Sequence, residues 1–246
     1  MNVIVYGNGA MGQLVAQSIQ QLPDAALVAV VSPQLEASDI NVLSSLKEVK
    51  EKADVIIDFS HPDNLEKILD YALAQKVAVI FCTTGYDEAA LTDIQSTAQQ
   101  IPILLASNTS LGVNLLHQLL QQAVRALAAD FDIEIIEQHH NKKLDAPSGT
   151  ANSLLDTIQD TLAEEREVVY GRSGLRKRGP TEIGMHSLRG GTIVGEHSII
   201  FAGEDEVIEL RHSAQSKKVF AQGAIRAARF LMKQEAGFYE MGDVLK

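Results

Sequence analysis

The sequence predicts an α/β fold in two parts: a parallel sheet flanked by helices, followed by an α+β domain with a mixed sheet. Three observations predict it. Short apolar runs alternate with helical patterns through the first hundred residues, as in sheets whose strands are buried on both faces. A glycine-rich segment follows the first of these runs. Beyond residue 180, strand-like runs follow one another closely, which is typical of hairpins rather than of βαβ units.

Five strands are predicted in the first part of the chain. They cover Val3–Tyr6, Leu27–Val31, Asp54–Phe59, Val77–Phe81 and Ile103–Ala106. The segments between them carry apolar residues at helical spacing, and Pro62 is placed to open one of these helices. Strands that alternate with helices form parallel sheets through right-handed crossovers, so a Rossmann-like arrangement is expected.

The glycine-rich segment fits the pattern G-x-G-x-x-G between a strand and a helix. It consists of Gly7, Asn8, Gly9, Ala10, Met11 and Gly12. In such a motif the first glycine permits a tight turn, the second lets the backbone approach a pyrophosphate, and the third lets helix and strand pack closely. The motif alone is weak evidence, but this context predicts a dinucleotide-binding domain with these six residues at the cofactor.

The second strand ends at Ser32 and Pro33, where an acidic residue that binds the ribose of NAD is expected. Glu36 lies nearby, beyond the expected end of the strand. Ser32 is interpreted as a cofactor ligand that either donates to a 2′-phosphate or faces a ribose hydroxyl. The sequence therefore leaves the cofactor open between NADPH and NADH.

Two further turns belong to the same edge of the predicted sheet. One contains Cys82, Thr83 and Thr84; the other contains Ala106, Ser107, Asn108 and Thr109. Ordinary turn chemistry would explain these residue types. Ligands of open α/β sheets bind outside the carboxyl ends of the strands, which favours a cofactor-binding role for both turns. Cys82 is expected to be a small buried residue rather than a nucleophile.

A long helix over Thr109–Ala129 is expected to open the second domain. Further strands are predicted at Phe131–Glu137, Ile183–Leu188, Thr192–Phe201 and Val207–Arg211. Val168–Thr181 is interpreted as a basic loop that is either a solvated surface or a lid or contact segment. A last helix over Phe220–Lys233 is expected to return to the first domain. The predicted domains are 1–110, completed by 220–246, and 111–219.

The most informative stretch joins the strand at Phe131–Glu137 to the next helix. It contains His139, His140, Lys142, Lys143 and the turn Ser148-Gly149-Thr150. A helix start offers unpaired N–H groups and partial positive charge, which suit an anion. A histidine titrates near neutral pH and can deliver a proton. The stretch predicts a site for a small acidic substrate, and no metal site is expected because the histidine spacing does not match zinc.

Composition excludes some classes of protein. The net charge is −11, which argues against nucleic acid as a partner. The apolar runs are too short to cross a membrane, so no membrane partner is expected. A single cysteine, Cys82, allows no internal disulfide. A cytoplasmic enzyme or binding protein is the expectation.

The motif Glu-x-His-His-x-x-Lys-x-Asp-Ala-Pro-Ser-Gly-Thr-Ala at 137–151 resembles the hallmark of the bacterial 4-hydroxy-tetrahydrodipicolinate reductase family. Landmarks along nearly the whole chain agree, namely Gly7–Gly12, Asp58-Phe59-Ser60, Thr83-Thr84-Gly85, Asn108–Asn114, Arg189-Gly190-Gly191, Ile193–His197 and Ala221–Ala224. The sequence departs from the family in a shorter glycine loop, in Cys82 and in Ser32-Pro33.

The resemblance implies reduction of a cyclic imino dicarboxylate by NAD(P)H, with loss of water, in a homotetramer. His139 would be the proton donor or acceptor and Lys143 a proton donor. His140, Ser148, Gly149 and Thr150 would bind substrate. Two alternatives remain: a non-catalytic NAD(P)-binding redox regulator, and a related oxidoreductase acting on another small acid. A regulator has no need for His139, Lys143 and a carboxylate-binding turn together.

Overall fold

The computed structural model describes residues 1–34 and 42–246, so Glu36 lies outside the described residues. The chain divides into two compact units. The first comprises Met1–Leu111 and Lys217–Lys246, and the second comprises Gly112–Ser216.

The first unit is built on a seven-stranded sheet in the order β12-β6-β5-β4-β1-β2-β3. All of its strand pairs are parallel. The strands are β1 (Asn2–Tyr6), β2 (Ala26–Val31), β3 (Val42–Leu43), β4 (Val55–Asp58), β5 (Ala78–Phe81), β6 (Pro102–Leu105) and β12 (Gly237–Glu240). The helices are α1 (Ala10–Gln20), α2 (Leu65–Gln75), α3 (Glu88–Thr97) and α6 (Lys218–Leu231). The Rossmann-like prediction is confirmed.

The first sheet is buried on both faces because its side chains alternate between two helical layers. Val3 and Val5 pack with α1 and α6, whereas Ile4 and Tyr6 pack with α2 and α3. The alanines of α6 bring this helix close to the turn after β6. A Cβ atom added to Gly223 would lie 1.8 Å from the Thr109 carbonyl oxygen, so this contact requires glycine.

The second unit contains a five-stranded mixed sheet in the order β11-β10-β7-β9-β8. Its strands are β7 (Asp132–His139), β8 (Glu167–Tyr170), β9 (Glu182–Arg189), β10 (Gly195–Ala202) and β11 (Val207–Ala214). The central strand β7 runs antiparallel to β10 and parallel to β9. Apolar residues of α4 (Leu111–Leu127) and α5 (Gly149–Thr161) share one core with the sheet. The predicted mixed sheet is confirmed.

Several strand predictions need correction. Strands β3 and β12 were not predicted, and β8 occupies the start of the predicted basic loop. Strand β7 continues two residues past the predicted end to His139, β10 begins at Gly195, and β11 continues to Ala214. Each of these segments is ordered by pairing with a neighbouring strand. Such pairing is decided by the tertiary fold rather than by local sequence periodicity.

The basic segment is held by carboxylates of the second sheet. Arg178 bonds to Asp132 and Glu134, with its Nη1 atom 2.6 Å from Asp132 Oδ1. Arg172 bonds to Glu134 and Glu182, at 3.0 and 2.9 Å. Glu182 is 2% exposed. Ion pairs thus anchor Arg172 and Arg178, while residues 171–177 remain exposed as a solvated surface would be. A role of this segment as a lid or contact segment stays a prediction.

Candidate active site

The glycine-rich loop between β1 and α1 has the backbone geometry that its sequence predicts. Gly7 has φ of +108°, and an added Cβ atom would lie 2.4 Å from the Phe59 carbonyl oxygen. A Cβ atom on Gly12 would lie 2.0 Å from the Gly7 carbonyl oxygen. A Cβ atom on Gly9 would have no neighbour within 4 Å. The loop is thus closed tightly on itself, while its backbone at Gly9 faces open space.

The start of helix α1 fits the phosphates of a dinucleotide. Gly9 is its N-cap residue, no side chain caps the helix, and its first turn contains no acidic residue. The unpaired N–H groups and partial positive charge at such a helix start attract anions. Open backbone at Gly9 lets a phosphate approach closely. Ala10 and Met11 lie in this first turn.

Two neighbouring cavities follow the carboxyl edge of the first sheet. Gly7, Asn8, Gly9 and Ser32 line a cavity of about 510 Å³. Thr83 and Thr84 line the second. Both cavities are also lined by three residues that the sequence had not assigned to the site, namely Ser60, His61 and Asp63. The structure therefore brings six of the fourteen predicted cofactor residues to these two neighbouring cavities.

The turn after β6 lines neither of these two cavities. Ala106 is buried, and the Thr109 hydroxyl donates to the Phe220 carbonyl at 2.7 Å. The Asn108 side-chain oxygen accepts a bond from the Ser110 amide at 2.9 Å. These contacts tie the turn to itself and to the start of α6. For Ala106, Ser107, Asn108 and Thr109, a cofactor role stays a prediction.

Two predicted cofactor residues have internal roles in the first unit. The Ser32 hydroxyl donates to the Gln34 carbonyl at 2.8 Å, so its proton is already engaged. Its oxygen can still accept a bond from a ribose hydroxyl. Cys82 is buried, and burial raises the pKa of its thiol well above the usual value. The expectation that Cys82 is a small buried residue is confirmed.

Asp58 organises the edge of the first sheet and was not assigned by the sequence beyond its place in a landmark. It is fully buried at the end of β4. It accepts bonds from the Ser60 hydroxyl at 2.6 Å and from the Tyr86 hydroxyl at 3.3 Å. Burial raises the pKa of Asp58 despite these bonds. The network fixes the Phe59–Ser60 segment against Gly7.

In the second unit, His139 is the last residue of β7 and is bound to a buried carboxylate. Its Nδ1 atom lies 2.6 Å from Glu137 Oε2. Glu137 is fully buried, whereas His139 is 9% exposed. Because Glu137 occupies Nδ1, the Nε2 atom is left for chemistry. A Cβ atom added to Gly195 would lie 3.0 Å from Nε2, so glycine keeps space beside it.

Glu137 is held as a carboxylate by several donors. Arg189 binds it with both terminal nitrogens, at 2.8 and 2.7 Å, and the Ser148 amide donates to Oε1 at 3.1 Å. Burial by itself would raise the pKa of Glu137, but hydrogen bonds from Arg189, His139 and Ser187 outweigh it and lower the pKa to about 2. Glu137 is therefore ionised at neutral pH.

His197 contacts His139 from β10. The two rings meet edge to face with centroids 5.3 Å apart. The Nε2 atom of His197 lies 3.0 Å from the Ser148 hydroxyl oxygen. Burial, followed by the neighbouring His139, lowers the pKa of His197 to about 4. His197 is therefore neutral and packs beside His139. The only signal for its place in the site was that it belongs to the landmark Ile193–His197.

The predicted substrate residues lie around the start of α5. Ser148 caps this helix by accepting a bond from the Ala151 amide at 3.1 Å, so its polar groups are engaged within the protein. Gly149 follows with an exposed backbone, and Thr150 is partly exposed. The helix start therefore presents the amides of these two residues.

Three further residues of this loop have basic side chains, namely His140, Lys142 and Lys143. The Lys143 amide donates to the His140 carbonyl at 3.1 Å, which forms a turn directly after β7. The Lys143 ammonium lies 2.8 Å from Asp145. The Nδ1 atom of His140 is buried without a hydrogen-bond partner. Lys142 is exposed.

The part of the chain that the structure describes offers neither a metal-binding cluster nor a membrane-spanning helix. Within 1–34 and 42–246, no cluster of three or more His, Cys, Asp or Glu residues is arranged to hold a metal ion. Over the same ranges, no helix combines the length and apolar character needed to span a membrane.

A Rossmann-like cofactor cradle and a carboxylate-bound histidine define a nicotinamide-dependent oxidoreductase. Comparison with known proteins narrows the class. Residues 1–109 match the family model "Dihydrodipicolinate reductase, N-terminus", and residues 112–245 match "Dihydrodipicolinate reductase, C-terminus". The chain belongs to the dihydrodipicolinate reductase family, as its motifs indicated.

Curated relatives and a solved structure agree with this assignment. The 4-hydroxy-tetrahydrodipicolinate reductase of Caldanaerobacter subterraneus subsp. tengcongensis is 47% identical, covering 100% of this chain and 98% of the relative. The enzyme of the same name from Brachyspira hyodysenteriae is 43% identical and covers 100% of both chains. A dipicolinate-bound dihydrodipicolinate reductase from Paenisporosarcina sp. TG-14 shares the fold, with a TM-score of 0.81 at 24% identity and coverage of 98% and 97%.

Proposed function

We propose that this chain reduces (2S,4S)-4-hydroxy-2,3,4,5-tetrahydrodipicolinate to (S)-2,3,4,5-tetrahydrodipicolinate with NAD(P)H and loss of water, in lysine biosynthesis through diaminopimelate. Full-length relatives that carry the name of this enzyme support the proposal. The observation that carries it is His139, which ends β7 with Nδ1 bound to ionised Glu137 and Nε2 left for proton transfer.

The residue chemistry suits this reaction. The 4-hydroxyl would leave as water together with a hydrogen of the neighbouring CH₂ group, which forms the conjugated imine. A bound reduced nicotinamide would then supply a hydride to the carbon that lost the hydroxyl. The neighbouring position then needs a proton, which His139 donates from Nε2. As the proton leaves, the imidazole keeps its Nδ1–H bond to Glu137, so the neutral ring stays in place. A positioned general acid contributes about 10²–10⁴-fold to such a rate.

The substrate carboxylates would be held by the loop after β7 and by the start of α5. Gly149 and Thr150 offer backbone amides at a helix start, where anions are favoured. Lys143 would add a positive charge and a second proton donor. For this role its ammonium group must leave Asp145 and bind the substrate instead. His140 would contribute a ring N–H. Ser148 acts here by capping α5 and so fixing the amides that follow it.

The cofactor would be held by the first unit. Gly7–Gly12 and the start of α1 would bind the pyrophosphate, and Ser32 would accept a bond from the adenosine ribose. The nicotinamide half of the cofactor would be bound by Cys82, Thr83, Thr84 and Ala106–Thr109. Because the Ser32 hydroxyl already donates to Gln34, it is a better acceptor for a ribose hydroxyl than a donor to a 2′-phosphate. We therefore propose that NADH is used as well as NADPH.

The decisive experiment is a coupled assay in which the preceding synthase makes the unstable substrate, followed separately with NADH and NADPH. We expect oxidation of both cofactors that depends on the synthase. Binding of either cofactor without turnover would instead support the redox-regulator alternative. Turnover of a different small acid, with none of this substrate, would support the related-oxidoreductase alternative.

We also propose that the chain forms the homotetramer that the family resemblance implies. The second sheet leaves large apolar side chains exposed at Leu188, Val207 and Ile208, which supports an interface there. Light scattering is expected to give about four times the 26.7 kDa of one chain. A mass of one chain at micromolar concentration would contradict the proposal.

A further inference from the structure

We infer that Glu137, clamped by Arg189 and the Ser148 amide, is a positioning residue that fixes the proton-bearing nitrogen of His139. This inference rests on the proposed function, in which His139 is the proton donor. Glu137 itself is fully buried on β7. It acts through the imidazole and through no contact with substrate.

The bonds from Arg189 and the Ser148 amide hold the Glu137 carboxylate in one orientation, as a hydrogen-bond acceptor. Its Oε1 atom accepts from Arg189 Nη2 and from the Ser148 amide, while Oε2 accepts from Arg189 Nη1 and faces His139 Nδ1. An ionised carboxylate has no proton to donate. His139 must therefore be the donor in the 2.6 Å contact, with its proton on Nδ1. The neutral imidazole then carries its lone pair on Nε2, and protonation there makes Nε2 the acid.

Neighbouring groups reinforce this assignment. His197 stands edge to face with His139 and is neutral, so it adds no competing charge. The Arg189 charge balances that of Glu137 across the bidentate pair. Because Gly195 has no side chain, it leaves space beside the Nε2 atom of His139. Arg189 also donates to the Asp145 carbonyl at 2.6 Å, so the same side chain ties the carboxylate to the loop that carries Lys143.

Glu137→Gln is the informative variant because an amide cannot satisfy this clamp. With its oxygen at the Oε1 position, the amide still accepts from Arg189 Nη2 and from the Ser148 amide, but its NH₂ group then faces both Arg189 Nη1 and His139 Nδ1. The imidazole must then accept at Nδ1, which moves its proton to Nε2 and disfavours the doubly protonated ring. The opposite orientation sets the NH₂ group against two donors at once, from Arg189 and Ser148, and is worse.

The test combines kinetics with nitrogen-15 NMR of the histidine rings. For Glu137→Gln we expect kcat to fall by about 10²–10⁴-fold with the KM for NADPH little changed. The neutral His139 signal, assigned by its loss in His139→Gln, should report Nδ1–H in the native protein and Nε2–H in Glu137→Gln. Glu196→Gln is the matched control, since Glu196 binds Arg211 and Ser213 instead of His139; it should keep native kinetics.

Two results would overturn the inference. The first is an NMR spectrum of the native protein in which neutral His139 carries its proton on Nε2. This measurement uses the native protein alone, so it does not depend on whether a variant folds. The other is a folded Glu137→Gln protein with turnover like that of the control. If the native chain shows no turnover in the coupled assay, the proposed function fails, whereas the NMR result still decides whether Glu137 sets the tautomer.

Discussion

Replacing His139 with glutamine is expected to lower kcat by about 10²–10⁴-fold, because the reaction loses its positioned general acid. The affinity for NADPH should change little, since His139 lies in the second unit and the glycine-rich loop lies in the first. Glutamine keeps a polar side chain of similar length but has no group that titrates near neutral pH. The measurement is steady-state kinetics in the coupled assay, together with NADPH titration by fluorescence.

His186→Gln is the matched control for this prediction. His186 lies on β9 and bonds to Glu134 at 2.7 Å, so the same substitution there alters a histidine–carboxylate pair outside the candidate site. We expect this control to keep near-native turnover. If His139→Gln also turned over at a near-native rate, His139 would not be the proton donor. Equal losses in both variants would indicate a general effect on the second unit.

Gly12→Ala is expected to destabilise the protein and to abolish tight cofactor binding. Alanine is the better helix former by about 1 kcal/mol, but its Cβ atom would lie 2.0 Å from the Gly7 carbonyl oxygen. That oxygen belongs to a backbone already confined by Phe59, so it cannot move aside easily. Overpacking of this kind costs about 1–3 kcal/mol, which exceeds the gain in helix propensity. Thermal unfolding and NADPH titration would measure the two effects.

Gly9→Ala separates binding from stability in the same loop. Its φ of −70° suits any residue, and the added Cβ atom has no neighbour within 4 Å. We therefore expect a melting temperature closer to that of the native protein, but weaker NADPH binding because the methyl group occupies the approach of the pyrophosphate. A Gly12→Ala protein that is as stable as Gly9→Ala and binds NADPH normally would contradict this account of the loop.

Much of the fold followed from periodicity because burial imposes a regular pattern on the sequence. Val3–Tyr6 is apolar throughout, as expected of a strand covered on both faces. The first strand of the second unit alternates, with Ile133, Ile135, Glu137 and His139 buried and the residues between them partly exposed. The strands β3 and β12 were missed because two to four residues carry no readable period; pairing with β2 and β6 orders them.

The site was predictable to the extent that backbone chemistry demands particular residues. Gly7 and Gly12 cannot be replaced without a backbone clash, so their spacing predicted a tight loop suited to a cofactor. The capping residue Ser148 likewise marked the start of α5. In contrast, Arg189 and Glu137 are 52 positions apart, and no local rule connects them. Their pairing follows from the parallel register of β7 and β9, which places Arg189 beside His139.

The sequence by itself determined the class of fold, the cofactor loop, and the stretch that holds His139 and Lys143, because helix starts, tight turns and buried strands each require particular residue types. Only the tertiary structure decided which groups control those residues. Strand register brought Glu137, Arg189 and His197 around His139, and burial made their hydrogen bonds strong enough to fix protonation states. Proximity and burial are properties of the folded chain, so the partners of His139 could not be read from the motif that contains it.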